Sequence, residues 1–415
     1  MTQDARAAQL LGLDKPPLSR VLDMLNGNGE EARVVGGAVR NALMGLAVAD
    51  TDIATTALPG EVMRRVKAAG FKVVPTGIEH GTVTVVAEGK PFEVTTLRED
   101  IETYGRKAKV AFGRDWQRDA QRRDFTINAL SMSRDGKVHD YVNGRPDIDA
   151  KRVRFVGEPA TRIAEDYLRI LRLFRFHAIY GQGDLDPAGL AASISARAGI
   201  ATLSRERVRM EMMKLLAAPQ AAATLVVMAD SGILLDVLGG VPRADTVARM
   251  KAAETAVGVT QDTVRALAAL GVSIVEDAER LAQRLRLSNA EQAHLASMAD
   301  GWWRVTPGMS EAQARALLYR LHPDRYVDRV MLAWARSQSD TGDVEWRTLV
   351  RLPQRWTAPV LPLKAADFIA RGIAKGPALG KALASAEADW IAADFPADAA
   401  ALAAIADRAM LAAQA

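Results

Sequence analysis

Cysteine is absent from the 415 residues of this sequence, which excludes disulfide partners, thiolate metal sites and a cysteine nucleophile. A chain without cysteine fits a reducing compartment, so we expect a cytoplasmic protein. No run of about 18 apolar residues occurs, and we therefore expect no membrane-spanning segment and no membrane partner. The N-terminal residues also lack a basic stretch followed by an apolar one, which argues against an export signal.

The charges of the chain are nearly balanced but unevenly placed. The formal net charge is only +4, and the isoelectric point is about 9.3. Between Lys151 and Arg175, however, seven lysine or arginine residues accompany three acidic ones. Such a stretch is typical of a surface that binds a phosphate-rich partner, although a solvated helix face has the same composition. The length and the ordinary apolar content predict a globular protein of about two to four domains.

The sequence changes character near residue 150. Before it, short β-rich runs alternate with helical segments, which predicts an α/β domain. The predicted strands are Val34–Val35, Asp52–Thr55, Phe71–Val74, Thr82–Val86, Phe92–Thr96 and Phe125–Ala129. After residue 150, glycine becomes rarer and apolar residues recur at three and four positions, so we expect only helices.

A double glycine, Gly36-Gly37, follows a short apolar run and predicts a tight turn from a strand into a helix. The free N–H groups at the start of such a helix favour an anion, for example a phosphate. Ten residues after Arg40 comes Asp50-Thr51-Asp52, which would place two carboxylates on one face of a strand. A phosphate cradle beside paired carboxylates is the minimum apparatus for two-metal phosphoryl or nucleotidyl transfer, so Asp50 and Asp52 are candidate Mg²⁺ ligands.

Two further groups suit the same chemistry. Glu93 alternates with the apolar Phe92 and Val94, which would turn its carboxylate to the open face of the sheet as a third candidate ligand. The pair Arg122-Arg123 precedes a β-rich run, and guanidinium groups bind phosphate oxygens in a bidentate manner. Either feature also occurs on ordinary surfaces, as an exposed strand glutamate or a salt-bridged triplet.

The segment from Arg162 to Phe176 predicts one helix with a charged side. Its charged sector contains Arg162, Glu165, Asp166, Arg169 and Arg172, with Arg175 just beyond the edge. Ion pairs along the helix, above all Glu165 with Arg169, explain such a side without any ligand. Because a large apolar residue lies within the sector, a sheltered groove is the alternative, in which acceptor and donor groups read the edge of a base.

Other segments give weaker predictions. The charged stretch 98–110 directly follows a strand, and we expect a mobile loop over the active site. His80 stands beside a glycine and receives no role. The arginines Arg347, Arg351 and Arg355 lie between two tryptophans and form a candidate RNA-binding patch.

Together, these elements resemble one family of the polymerase-β superfamily: the class II nucleotidyltransferases that add CCA to tRNA 3′ ends, with the closely related bacterial poly(A) polymerases. The resemblance covers about residues 33 to 215. The matching elements are Gly-Gly-Ala-Val-Arg with Asp50-x-Asp52, Phe92 to Arg98, Arg122-Arg123-Asp124-Phe-Thr-Ile-Asn-Ala, Glu165-Asp166 with its spaced arginines, and Ser204 to Arg207 leading to Glu211. The sequence departs from the family at Asn41, where many relatives have aspartate.

The resemblance implies a fold, a set of domains and a reaction. The fold would be an α/β catalytic head of polymerase-β nucleotidyltransferase type followed by an all-α neck, body and tail. The head would span residues 1–145, a neck that recognises the nucleotide base 146–215, and a body and tail that bind RNA 216–415. The reaction would add CCA to tRNA from CTP and ATP with two Mg²⁺ ions.

The resemblance also assigns roles to single residues. The implied metal-site residues are Asp50, Asp52 and Glu93, and the implied nucleotide-binding residues are Gly37, Arg40, Arg123, Asp166, Arg169, Arg172 and Arg175. Poly(A) synthesis and addition of only CC or only A use the same apparatus and stay open. So do a non-catalytic RNA-binding protein on this fold and a nucleotidyltransferase for small molecules.

Overall fold

The computed structural model describes residues 2–104 and 107–414 and divides the chain into two compact units, 1–239 and 240–415. The first unit contains the sheets, and the second is helical. Within the described ranges, no helix is both long and apolar enough to cross a membrane. The three functional domains predicted from the sequence stay a prediction.

The main sheet has seven strands in the spatial order β3-β4-β5-β2-β1-β8-β9. Their bounds are β1 Ala32–Val35, β2 Asp52–Thr55, β3 Lys72–Gly77, β4 Thr82–Ala87, β5 Lys90–Thr96, β8 Ser131–Met132 and β9 Val138–His139. The strands pair antiparallel except for β2 and β5, which are parallel, with Ile53 opposite Val94. Along β4, buried and half-buried side chains alternate, as expected for a sheet with one face against the core.

Two predictions about this region were wrong. The stretch 98–110 forms most of two antiparallel strands, β6 (Arg98–Tyr104) and β7 (Lys107–Phe112), instead of a loop; residues 105–106 at their junction lie outside the described residues. The predicted strand Phe125–Ala129 is a single 3₁₀ turn over Thr126–Asn128. Phe125 pairs with Phe155 in one isolated bridge, so no continuous partner strand is available to extend the run.

Twelve α-helices belong to the described part of the first unit. They are α1 Gln3–Leu11, α2 Leu18–Leu25, α3 Gly37–Leu43, α4 Pro59–Ala68, α5 Trp116–Gln121, α6 Gly144–Asp149, α7 Pro159–Glu165, α8 Leu168–Tyr180, α9 Pro187–Ser195, α10 Arg205–Leu216, α11 Ala221–Asp230 and α12 Ile233–Leu238. The long helix α8 buries Ile170, Leu171 and Phe174 and packs against α10 and α11.

Eleven α-helices form the described second unit. They are α13 Ala244–Val257, α14 Thr263–Gly271, α15 Val275–Leu285, α16 Asn289–Ala299, α17 Glu311–Leu321, α18 Pro323–Ser337, α19 Val344–Val350, α20 Leu352–Arg355, α21 Ala365–Ala370, α22 Pro377–Ala392 and α23 Ala399–Gln414. Trp334 and Trp346 are buried and stacked, with ring centroids 6.4 Å apart. Among the arginines of the predicted patch, Arg347 donates from Nε to the carbonyl of Thr341, whereas Arg351 and Arg355 are exposed.

A buried charged network joins four helices of the second unit. Arg265 of α14 is 7% exposed and donates to Glu254 of α13 at 2.6 Å and to Asp328 of α18 at 2.9 Å. The second oxygen of Asp328 lies 2.6 Å from Nε2 of His294 in α16. Buried charges are stable in a protein interior when they are paired in this way.

The network predicts a loss of stability as the pH rises above 6.5, the ordinary pKa of His294. The hydrogen bond with Asp328 raises the pKa of His294 above its ordinary value of 6.5. Since the pKa is higher in the folded state, the stabilisation is complete below the unfolded value and is lost as the pH rises through the folded value. Urea unfolding at a series of pH values should show this decline in the natural protein. The H294Q variant should have a flatter profile, and an equal decline in both proteins would contradict the assignment.

Candidate active site

The double glycine forms the predicted turn between β1 and α3. Gly36 has φ 68° and ψ −127°, a conformation that side chains rarely adopt, and α3 begins at Gly37. A Cβ atom on Gly36 would also lie 3.1 Å from Nη1 of Arg123. The backbone conformation therefore favours glycine here, and any side chain at this position would also displace the end of Arg123 slightly.

The two carboxylates of Asp52 and Glu93 lie on the same face of adjacent strands. Ile53 of β2 is opposite Val94 of β5 in a parallel register, so Asp52 and Glu93, one residue earlier in each strand, are neighbours. Phe92 and Val94 are buried and Glu93 is exposed, which confirms the predicted orientation. Desolvation by surrounding groups and the charge of Glu93 raise the pKa of Asp52, whereas Arg123 lowers it.

Asp50 differs from the prediction, because the Asp-x-Asp pair does not lie on one strand. β2 begins at Asp52, which is opposite Val35, the last residue of β1. Gly36 turns the chain away, so the ladder on the β1 side of β2 ends at Asp52, although β5 continues to Lys90 on the other side. The charge of Asp50 still raises the pKa of Asp52, but Asp50 itself lines a separate pocket with Lys15 and Lys90.

A pocket of about 250 Å³ opens on this face of the sheet. It is lined by Val35, Asp52, Ile53, Ala54, Thr82, Glu93, Thr95, Arg98, Asp119, Arg122 and Arg123. The structure thus brings two predicted metal-site residues together with the predicted arginine pair. Gly37 and Asp50 are not among its lining residues.

Asp119, which was not predicted from the sequence, holds the arginine pair in place. The residue is 3% exposed, and one carboxylate oxygen accepts hydrogen bonds from Arg122 at 2.6 and 2.9 Å. The other oxygen accepts from Arg123 at 3.2 and 3.3 Å. Although burial acts in the opposite direction, the two guanidinium groups lower the pKa of Asp119. The spacing of three and four residues from the arginines on a helix was the signal that could have identified it.

Arg40 lies behind the turn and is 5% exposed. Its guanidinium group bonds to the side chains of Asn128 and Asn41, and donates to the hydroxyl of Tyr180 at 2.6 Å. The ring of Tyr180 lies 3.8 Å below the guanidinium carbon. Burial lowers the pKa of Arg40 to about 10. These contacts tie α3 to α8, and the nucleotide-binding role of Arg40 and Gly37 stays a prediction.

The predicted helix over residues 162–176 is interrupted. α7 ends at Glu165, Asp166 has an extended backbone, and α8 begins at Leu168. One carboxylate oxygen of Asp166 accepts from the N–H of Leu168 at 3.1 Å and the other from Arg207 at 2.6 Å. Because an aspartate can satisfy the free N–H at a helix start, the chain breaks here without glycine or proline. The single charged sector predicted for a continuous helix is therefore wrong.

Each predicted arginine of this region has an acidic partner. Arg169 pairs with Glu165, as predicted, Arg172 pairs with Asp124, and Arg175 pairs with Glu211. Arg175 and Glu211 are buried, whereas Asp166, Arg169 and Arg172 keep part of their surface accessible. The role of these side chains in base recognition stays a prediction.

Two family models match the chain. One, described as "Poly A polymerase head domain", matches residues 32–154. The other, described as "Probable RNA and SrmB- binding site of polymerase A", matches residues 184–242. Together they cover the sheet with its pocket and part of the helical region that follows.

Proteins similar in sequence carry the name of one activity. The mitochondrial CCA tRNA nucleotidyltransferase 1 of Danio rerio is 36% identical over 295 residues, which are 70% of this chain and 68% of that protein. The CCA-adding enzyme of Geobacillus stearothermophilus is 41% identical over 224 residues, 53% of this chain and 54% of that protein.

Solved structures agree with the sequences. The Bacillus stearothermophilus CCA-adding enzyme in complex with CTP has a TM-score of 0.70 at 27% identity, covering 95% of this chain and 98% of that one. The Thermotoga maritima CCA-adding enzyme complexed with tRNA has a TM-score of 0.72 at 17% identity over 97% and 98% of the two chains, which shows a common fold. From the pocket, the fold and these relatives, we conclude that the chain belongs to the CCA tRNA nucleotidyltransferase family.

Proposed function

We propose that this protein adds the nucleotides C, C and A to the 3′ end of tRNA from CTP and ATP without a nucleic-acid template, releasing pyrophosphate. The pocket that contains Asp52, Glu93, Arg122 and Arg123 carries the proposal. Carboxylates that hold cations and guanidinium groups that bind phosphate are what nucleotidyl transfer requires. The relatives, named for CCA addition, support tRNA as the acceptor.

Two Mg²⁺ ions would be held by Asp50 and Asp52, with Glu93 as a third carboxylate. Asp52 and Glu93 share the pocket and fit the ion, whereas Asp50 lies outside that pocket. Desolvation raises the pKa of Asp52, and the charges of Glu93 and Asp50 raise it further; a divalent cation would relieve this repulsion. Within the described ranges, no three acidic or histidine side chains form a complete metal site. Magnesium suits this arrangement, because water and substrate phosphates supply its remaining ligands. When bound, Mg²⁺ neutralises phosphate charge and makes a coordinated hydroxyl more acidic.

The residues of the chain bind, orient and select the substrates. Arg122 and Arg123 bind the phosphate groups of the nucleotide, since a planar guanidinium group can donate two parallel hydrogen bonds to phosphate oxygens. Asp166 and Arg169 select the base, because a carboxylate and a guanidinium group offer complementary acceptors and donors to its edge. Asp124 and Glu211 orient Arg172 and Arg175 along the same helix.

Extension of a tRNA lacking its 3′ CCA tests the proposal. CTP and ATP are supplied separately and together, and the products are resolved to single nucleotides. We expect three added residues, a requirement for both nucleotides, and then a stop. The head model that matches this chain is named for poly(A) polymerase, so a long ladder with ATP alone would assign poly(A) synthesis instead. Addition of only CC or only A would likewise contradict the proposal and would assign that shorter addition to the protein instead.

Asp119 gives a prediction about nucleotide affinity. In D119N, one carboxylate oxygen becomes an amide that cannot accept from its arginine, so one guanidinium group loses its charged anchor. Hydrogen bonds to charged groups contribute about 1.5–3 kcal/mol, so we expect the KM for CTP and ATP to rise by about ten- to a hundredfold. Steady-state kinetics on the CCA-lacking tRNA measures this change.

The matched control is D115N, at the N-cap of α5, the helix that contains Asp119. Asp115 caps α5 by accepting from the N–H groups of Gln117 and Arg118, and asparagine caps a helix equally well. Its KM should therefore stay close to that of the natural protein. An unchanged KM in D119N would remove Asp119 from the phosphate-binding arrangement.

RNA binding and location complete the proposal. We assign base recognition to residues 146–215 and RNA binding to residues 216–415, where the tryptophan Trp303 is exposed beside Arg304. Binding of the tRNA should weaken steeply with salt, as contacts to phosphates do.

A cytoplasmic location fits a chain without cysteine, although relatives include proteins named mitochondrial.

A further inference from the structure

Arg162 of α7 holds the backbone beneath the arginine pair. Its Nη2 donates to the carbonyl of Arg122 and, at 2.9 Å, to the carbonyl of Arg123. Arg162 does not line the pocket itself. It therefore acts on the pair from behind, through the main chain, while Asp119 holds the two guanidinium groups from the other end.

The other nitrogen of Arg162 connects to the base-selecting residues. Nη1 donates to one oxygen of Glu165 at 2.7 Å, and the second oxygen of Glu165 accepts from Arg169. Arg169 also donates to the carbonyl of Arg162 at 2.7 Å. Arg169 is thus connected, through Glu165 and then Arg162, to the backbone of Arg122 and Arg123.

This placement is costly for a residue that serves folding alone. The Nε of Arg162 is buried without a partner among the described residues, and an unpaired buried donor lowers stability. Burial and the nearby charge of Arg169 also lower the pKa of Arg162. The bonds of its Nη1 and Nη2 offset this cost, and they join Glu165 to the carbonyls of Arg122 and Arg123.

We propose that Arg162 is a positioning residue that couples base selection at Arg169 to phosphate binding by Arg122 and Arg123. A nucleotide whose base engages Arg169 fixes Glu165 and Arg162, and so fixes the backbone from which the phosphate-binding side chains extend. A wrong base does not engage Arg169, so Glu165, Arg162 and the backbone of Arg122 and Arg123 are held less firmly, which lowers the rate with that nucleotide. The inference rests on the proposed function, because it assumes that the pocket binds nucleotides.

A double-mutant cycle in kcat/KM tests the coupling. The proteins are the natural chain, R162M, R123M and the double variant, each assayed with CTP and with UTP on the CCA-lacking tRNA. If Arg162 acts through Arg123, its loss should matter little once that side chain is gone. Multiplying the fold-changes of the two single variants gives the kcat/KM expected for independent effects. We expect the measured kcat/KM of the double variant to be higher than that value by about fivefold or more. The preference for CTP over UTP should also fall in R162M.

The control is R154M, which removes an arginine bonded to Asp147 elsewhere in the same unit. The kcat/KM of the R154M/R123M double variant should lie within about twofold of the value obtained by multiplying the two single fold-changes. The same multiplicative result for R162M, or an unchanged preference for CTP, would overturn the proposal. If circular dichroism shows that R162M is not folded, R162K takes its place. Lysine keeps the positive charge but lacks the guanidinium group that bonds to Glu165 and to the backbone at the same time.

The cycle separates this inference from the proposed function. Should the natural protein extend RNA with ATP alone, CCA addition fails as a function. The kcat/KM cycle is then measured with ATP, where a non-multiplicative result still supports the role of Arg162 and a multiplicative one still excludes it.

Discussion

Replacing Asp52 with asparagine should reduce nucleotidyl transfer by about a thousandfold or more, because a metal-held charge contributes several kcal/mol to the transition state. Asparagine keeps the shape of the side chain and removes its charge. Single-turnover extension of a CCA-lacking tRNA measures the rate, and fluorescence titration measures nucleotide binding, which should change far less.

The control for D52N is D23N, which removes an exposed aspartate paired with Arg134 in the same unit. It should leave the rate unchanged. D50N tests the second predicted ligand, which lies outside the strand and outside the pocket of Asp52. Transfer within tenfold of the natural rate in both D52N and D50N would rule out the predicted metal site.

Replacing Arg265 with methionine should lower the free energy of unfolding of the second unit by about 3–5 kcal/mol, the usual cost of breaking a buried ion pair. The change leaves Glu254, 1% exposed, and Asp328, 5% exposed, without their shared cation. The buried tryptophans Trp334 and Trp346 lie in the same unit. Urea unfolding of the full chain, followed by tryptophan fluorescence, measures the shift.

R408M is the matched control, because Arg408 forms an exposed pair with Asp389 on neighbouring helices of the same unit. Exposed pairs contribute at most about 1 kcal/mol, so its urea midpoint should barely move. Equal midpoints for R265M and R408M would mean that the buried network adds no stability.

Local patterns in the sequence predicted the parts of the site that depend on local geometry. The turn at Gly36 follows from glycine alone, and the outward direction of Glu93 follows from alternation along a strand. Asp50 was misplaced because the start of a strand depends on pairing with distant segments, and the residues around Asp50 do not show that β2 begins only at Asp52, opposite the end of β1.

Other features depend on contacts between distant residues. Arg162 reaches carbonyls 39 and 40 residues away, and Arg172 reaches Asp124 across 48 residues. Periodicity gives no information about such pairs. The break at Asp166 was hidden for a different reason: a charged residue in a helical run is read as part of a polar face, whereas here it satisfies the first N–H of the next helix.

The bond between Arg40 and Tyr180 has a consequence for how this unit opens. Because the bond joins α3 to the last residue of α8 and is covered by aromatic rings, neither helix can detach without exposing a buried cation. The amide hydrogens of the two helices should therefore exchange with deuterium as one cooperative group, although 140 residues separate the partners in the chain.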